Sequence, residues 1–326
     1  MNDIMAGKLK EIAIEILQRC PNCCIHCSSF SDLHKTALMP LQKIVEVVND
    51  AKDLGVSRVS ISGGEPFLHP DIVQILRYVH EIGLECYLYS SGIYYEDGFY
   101  GSVPESLLTQ VHPYLTKLIV NYETTDPVKY NKIMGTDSDG LHLLEETVKR
   151  ATALGMVVEA HFVPMHINVQ DAESVIDRCK ELGMQRVSFL RLVMQGRAPE
   201  HSSDTAISEE EINEFLSRIK SRSEKSSSRL GIPFSKNSFH CACTAGIQKI
   251  SVRYDGNVYP CESFKNDEPI GLTHNRPENI YRKSLKEIYL HSSYLEEVRA
   301  LIKEFKSKRH CESCINQYYR AHKLEH

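Results

Sequence analysis

The sequence predicts an α/β fold, a parallel barrel or an open sheet, followed by a smaller C-terminal region with a β-hairpin and helices. Three observations predict it. Six strand-like runs recur along the first part of the chain, apolar periodic helices separate most of them, and four of the connecting segments end at a glycine, as in "KDLG", "HEIG", "TALG" and "KELG". A glycine stop just ahead of a strand suits right-handed crossovers between parallel strands.

The elements follow in order. "EIAIEILQ" is the first strand; the loop "RCPNCCIHCS" (Arg19 to Ser28) follows it, then a helix from Leu41 to Leu54. "RVSIS" leads into "GGEP" and a helix from Asp71 to Ile82. "LECYLYSSG", "KLIVNYE", "VVEAHFVP" and "RVSFLRL" supply the remaining strands, with helices at Leu141 to Leu154 and Ala172 to Leu182. The pattern then breaks: "SEEEINEFLSRIKSRSEKSSSRLG" opens with a capping signal at Ser208, runs as a polar helix and ends in Ser-rich linker composition. In "ISVRYDGNVYPC", Asp255-Gly256 marks a tight hairpin turn. The chain is therefore expected to divide into residues 1–205 for the βα series, 206–238 for the polar helix and linker, and 239–323 for the cysteine-rich region; "LEH" at 324–326 reads as a tag remnant.

Composition narrows the function. A chain of 326 residues, 42% hydrophobic and 25% charged, can bury one large core, or one core and an annex. A formal net charge of -5 gives no electrostatic argument for nucleic acid or an anionic membrane, and neither is expected as a partner. No long apolar run and no basic-then-apolar start suggest a membrane span or a secretory signal, so the expected compartment is cytoplasmic. Eleven cysteines there point to metal or catalysis rather than disulfides.

Four of them crowd one loop, as Cys20-x3-Cys24-x2-Cys27 with Cys23 as an extra thiol. Three thiolates on one short loop can face a single centre and leave a coordination position open for chemistry. A structural zinc site would need a closed fourth ligand, here Cys23 or His26, both awkward in so short a loop. An iron–sulfur cluster with one unligated iron fits better.

The cysteine loop after the first strand, the ring of His26 before the last cysteine, and "SGGEP" after the second strand together resemble the radical SAM enzymes. The resemblance implies a partial (β/α)6 TIM-like barrel over residues 1–205. It also implies a 4Fe–4S cluster held by Cys20, Cys24 and Cys27, S-adenosylmethionine on the open iron, and reductive cleavage to a 5′-deoxyadenosyl radical. A flavodoxin or ferredoxin would supply the electron. It assigns His26, Gly63, Gly64 and Glu65 to the cofactor, the last three at its methionine end. Asn121 and Glu123 in "NYET" stand where relatives often have Ser and Asp, and Ser91 in "SSG" where they have Asn; each is a cofactor candidate, or a solvated strand end. Arg191 in "RLVMQGRA", ahead of Arg197, can meet a carboxylate of cofactor or substrate bidentately, or form a structural ion pair.

The second constellation is Cys243-x12-Gly256-x4-Cys261 with Cys311-x2-Cys314. It resembles the auxiliary-cluster module Twitch, a shortened form of SPASM, and implies a second 4Fe–4S cluster on those four cysteines; a zinc ribbon is the alternative. Cys86 and Cys179 read as small core residues and Cys23 as a bystander, while Cys241 is a spare thiol and the catalytic candidate, as hydrogen donor or exchangeable ligand. The expected function is oxidative modification, crosslink or thioether formation, of a ribosomally made peptide. The segment ahead of the first strand is short for the separate leader-peptide-binding domain that many peptide modifiers carry, so none is expected here. A sugar or alcohol dehydrogenase or epimerase is the alternative, and a non-catalytic zinc-ribbon adaptor a distant one.

Overall fold

The computed structural model describes residues 9–225, 229–231, 243–266 and 273–307; Cys241, Cys311, Cys314 and the 324–326 tail lie outside the described residues. Strands β1 (Glu11–Glu15), β2 (Arg58–Ser62) and β3 (Glu85–Ser90) enclose helices α1 (Leu41–Asp53) and α2 (Ile72–Glu81). A hairpin of β4 (Ile93–Glu96) and β5 (Phe99–Ser102) follows, then α3 (Glu105–Val111), β6 (Lys117–Asn121), α4 (Pro127–Met134), α5 (Gly140–Ala153), β7 (Val158–Phe162), α6 (Ala172–Glu181) and β8 (Arg186–Phe189). The chain continues through α7 (Ser202–Thr205), α8 (Glu209–Lys225), β9 (Arg229–Gly231), β10 (Lys249–Val252), β11 (Val258–Tyr259), α9 (Leu285–His291) and α10 (Ser293–Ser307).

The six expected strands are β1, β2, β3, β6, β7 and β8, and they lie side by side in that order, all parallel. Their alternation explains both faces. Val59 and Ile61, Cys86 and Leu88, Leu118 and Val120, and Val187 and Phe189 are buried beneath the helices. The interleaved Ser60, Tyr87, Tyr89, Lys117, Asn121, His161 and Ser188 are half-buried on the opposite, concave face.

The helices cover the outer face with narrow stripes. α1 buries Ile44, Val47, Val48 and Ala51, α2 buries Ile72, Ile75, Leu76 and Val79, and α6 buries Ala172, Val175, Ile176 and Cys179. Each stripe is spaced i, i+3, i+4, i+7, and each large aliphatic residue so buried contributes about 1.5–3 kcal/mol. Cys86 and Cys179 are thus core residues, as expected. The capping box at Ser208 forms: Ser208 N donates to Glu211 Oε2 at 2.9 Å and Glu211 N to Ser208 Oγ at 3.2 Å.

The hairpin at Asp255-Gly256 is present as β10 and β11, antiparallel. It is not free-standing. β10 runs parallel to β1, from Glu11 opposite Lys249 to Ile14 opposite Val252, so the C-terminal region closes the open edge of the barrel sheet. β9 covers the other edge beside β8. The β4–β5 hairpin departs from the expected pattern of one strand then one helix. Its turn residues Asp97 and Gly98 both have positive φ, 50° and 89°, the geometry that an Asp-Gly pair favours. No described helix is long and apolar enough to cross a membrane.

Candidate functional site

The cysteine loop leaves β1 at the carboxyl end of the barrel and is gripped by backbone on several sides. Gly64 N donates to Leu17 O and Glu65 N to Arg19 O, each at 2.8 Å, so the "GGE" turn after β2 lies flat on the loop. Only glycine permits this approach: a Cβ on Gly63 would sit 2.3 Å from Leu17 O, and one on Gly64 2.0 Å from Arg19 O. On the opposite side Cys23 N donates to Met134 O and Ile25 N to Ile133 O, both at 3.0 Å, at the end of α4. From the segment after β8, Arg197 N donates to Cys27 O at 3.1 Å, and its buried guanidinium donates to Ser31 O at 2.8 Å and Cys24 O at 3.4 Å. Asp32 lies beside that guanidinium at 3.5 Å.

Cys20 is buried, Cys24 and Cys27 are half-buried, and Cys23 is exposed. Burial pushes the Cys20 and Cys24 thiols well above the usual range, and the charge of neighbouring thiols pushes the same way: Cys24 on Cys20, Cys27 on Cys24. Holding such a set ionised requires a strongly cationic centre. Among the described residues no three His, Cys, Asp or Glu side chains converge closely enough to hold a single metal ion. A cluster spreads its irons over several ångströms and suits three thiols spaced along one loop. Buried polar atoms of the loop and its neighbour also lack partners among the described residues: both amide atoms of Asn22, His26 Nδ1 and Tyr130 Oη. The residues fit an iron–sulfur cluster with a polar ligand beside it.

The expected cofactor residues meet each other here. Glu65 is fully buried; Oε1 accepts from Phe67 N at 3.1 Å and Ser90 Oγ at 2.9 Å, and Oε2 accepts from Ser91 N at 2.7 Å and Ser91 Oγ at 2.5 Å. Burial raises its pKa while these four bonds oppose the rise. Glu65 and Ser91 therefore stitch the "GGEP" turn to the end of β3. His26 Nε2 lies 3.7 Å from Glu123 Oε1, which also receives Asn121 Nδ2 at 3.3 Å. Val163 N donates to Glu123 Oε2 at 2.8 Å, and Asn168 Nδ2 to Glu123 O at 3.0 Å. Burial pushes Glu123 up to about 8 and His26 down to about 4. Arg191, by contrast, is exposed, on the rim of an apolar cleft of about 230 Å³ that Met194, Ile207 and Phe215 also line. Arg197 is the arginine that reaches the loop, and its neighbour Gly196 makes a further close approach: a Cβ there would lie 2.2 Å from Cys27 O.

The concave face below is polar. At its floor Arg58 pairs with Glu11, Lys117 with Glu159 at 2.6 Å, and Lys249 with Glu262 at 2.9 Å. Arg58 and Lys117 also lie over the Tyr87 ring, at 5.1 and 5.2 Å. Higher up, Tyr89 meets His161 edge-on at 5.4 Å, and burial lowers the His161 pKa to about 4.

Of the second cysteine set, Cys243 is half-buried and Cys261 buried, with Cys261 Sγ 2.9 Å from Ser263 Oγ; Cys241, Cys311 and Cys314 lie outside the described residues. The segment after Cys261 returns to the first loop. Asn266 Nδ2 donates to Ser28 O at 2.7 Å, and Lys265 Nζ reaches Glu15 Oε1 at 2.5 Å and Ser29 Oγ at 3.0 Å.

A parallel partial barrel whose first strand-to-helix loop carries Cys20, Cys24 and Cys27, braced by the glycine turn of the second, is the frame of an enzyme that generates radicals from S-adenosylmethionine. The chain belongs to the radical SAM superfamily, whose family profile matches residues 14–179, and the SPASM iron–sulfur cluster-binding domain matches residues 241–315. A probable GTP 3′,8-cyclase from Methanococcus maripaludis is 24% identical over 276 residues, covering 80% of this chain and 88% of the relative. The PqqA peptide cyclase of Methylorubrum extorquens is 25% identical over 256 residues, covering 76% of this chain and 65% of the relative. Among solved structures, Streptococcus suis SuiB bound to S-adenosylmethionine superposes with a TM-score of 0.72 at 16% identity, over 90% of this chain and 68% of SuiB. The fold is shared.

Proposed function

We propose that the chain modifies a ribosomally made peptide by oxidative crosslink or thioether formation, with one 4Fe–4S cluster on Cys20, Cys24 and Cys27 and a second on Cys243, Cys261, Cys311 and Cys314. When bound, these groups supply the electron that cleaves S-adenosylmethionine, the hydrogen-abstracting radical that results, and an acceptor for the electron left on the substrate. A flavodoxin or ferredoxin is the proposed donor. The Gly63–Glu65 turn offers backbone groups to the methionine end of the cofactor, because the Glu65 carboxylate is already occupied by Ser90 and Ser91. Asn121 and the mostly protonated Glu123 offer neutral hydrogen-bonding groups beside His26, itself neutral at physiological pH. The surrounding barrel wall excludes water from the reacting atoms.

One observation favours a peptide over a nucleotide. Among the described residues, the concave-face cations Arg58, Lys117 and Lys249 are held by Glu11, Glu159 and Glu262. A triphosphate needs several uncommitted cations, whereas the neutral groups higher on the wall, Ser60, Tyr89, Asn121, His161 and Ser188, suit peptide amides and hydroxyls. The test is anaerobic turnover of reconstituted enzyme with dithionite and S-adenosylmethionine, once with GTP and once with synthetic peptides matching short reading frames beside the gene. The reading expects a peptide product lighter by a pair of hydrogens and no conversion of GTP; conversion of GTP with peptides untouched overturns it.

A further inference from the structure

The charge that braces the cysteine loop comes from the far end of the chain. Lys265, four residues after Cys261, lies beneath the loop with its side chain 5% exposed, against Glu15, also 5% exposed. Its Nζ donates to Glu15 Oε1 at 2.5 Å and Ser29 Oγ at 3.0 Å, while Ser29 Oγ donates to the same carboxylate oxygen at 2.6 Å. Ser29 stands two residues beyond Cys27, and Asn266 holds Ser28 O from the same side. Gln195 Nε2 ties the segment further, donating to Glu262 O at 2.9 Å. The second carboxylate oxygen, Glu15 Oε2, is buried with no hydrogen-bond partner among the described residues. Lys265 is thus the cation against which a buried carboxylate beside the loop is balanced.

We propose that Lys265 is a positioning residue that sets the charge and seating of the radical-cluster loop from the auxiliary-cluster segment. This rests on the reading that Cys20, Cys24 and Cys27 hold that cluster. Buried charges are screened poorly, and hydrogen bonding and charge around a cluster tune its reduction potential. An unbalanced Glu15 carboxylate disfavours the added electron, and an unbalanced Lys265 ammonium favours it. Because Lys265 shares a short segment with Cys261, ligation at Cys261 also holds Lys265 in place.

The experiment is an EPR-monitored redox titration of the fully reconstituted enzyme, following the signal that changes when S-adenosylmethionine is added. Lys265→Met is expected to lower the midpoint potential and Glu15→Gln to raise it. The double variant should return it toward wild type, and Lys265→Arg should keep it near wild type. Singles that shift in the same direction, or no shift in any variant, overturn the proposal. If Lys265→Met fails to load iron, the double variant decides: restored loading supports the proposal, and loss in both overturns it. Absence of any S-adenosylmethionine-sensitive signal in the wild type would instead sink the underlying reading of the loop.

Discussion

The cysteine loop is held in two unlike ways on its two sides. Towards β2 and α4 the grip is backbone on backbone, with Gly63 and Gly64 admitting Leu17 and Arg19 at hydrogen-bond distance. Towards the C-terminal region it is side chain on side chain, a buried lysine and carboxylate with a serine between them. The first kind tolerates no added atom but does not depend on charge. The second tolerates changes of shape yet depends on both charges being present, since removing one partner of a buried pair leaves the other stranded. The difference separates what builds the loop from what tunes it.

The largest effect is expected where the backbone approach is closest. Gly64→Ala places a Cβ 2.0 Å from Arg19 O, so the turn or the loop must move. A stability loss of about 3 kcal/mol or more is expected, together with failure to load iron on the loop, read by denaturant melts and iron content. Next comes Arg197→Lys, which keeps the charge but not the fork that meets Ser31 O and Cys24 O. It should cost roughly 2 kcal/mol and lower iron loading in proportion, sharpening the comparison because charge alone does not rescue it.

Ile75→Ala in α2, away from the loop, serves as contrast: about 2–4 kcal/mol lost from the core, with S-adenosylmethionine cleavage per folded molecule unchanged. The smallest effect is a pH dependence. Burial holds His161 at about 4, below the ordinary histidine value. The folded state therefore resists the proton that the unfolded chain accepts, so this contribution is complete above about pH 6.5 and is lost as pH falls towards about 4. Between about pH 7 and 5.5 the wild type should lose roughly 1 kcal/mol more than His161→Phe in urea melts.

What the sequence makes legible follows the same division. Periodicity located the six strands β1, β2, β3, β6, β7 and β8 and the helices between most of them, because alternation and i, i+3, i+4 spacing are local properties. The hairpin at Asp255-Gly256 and the cap at Ser208 were legible for that reason too. The β4–β5 hairpin carried the same kind of signal in Asp97-Gly98 but fell inside an expected strand-to-helix connection. The pairing of β10 with β1 and the contact between Lys265 and Glu15, 250 positions apart, are long-range and leave no local trace. At the site, the thiol spacing and glycine turn were legible as motifs. What each side chain would touch was not: Glu65 and Ser91 engage each other, and Arg197 reaches the loop.

The loop carrying Cys20, Cys24 and Cys27 is where S-adenosylmethionine is expected to be cleaved. The direct measurement is 5′-deoxyadenosine formed under dithionite, without air, by wild type and by the Cys20→Ala, Cys24→Ala, Cys27→Ala triple variant, each reconstituted with iron and sulfide. The variant is expected to form none above background while keeping the iron held by its C-terminal cysteines. Formation at the wild-type rate would contradict it.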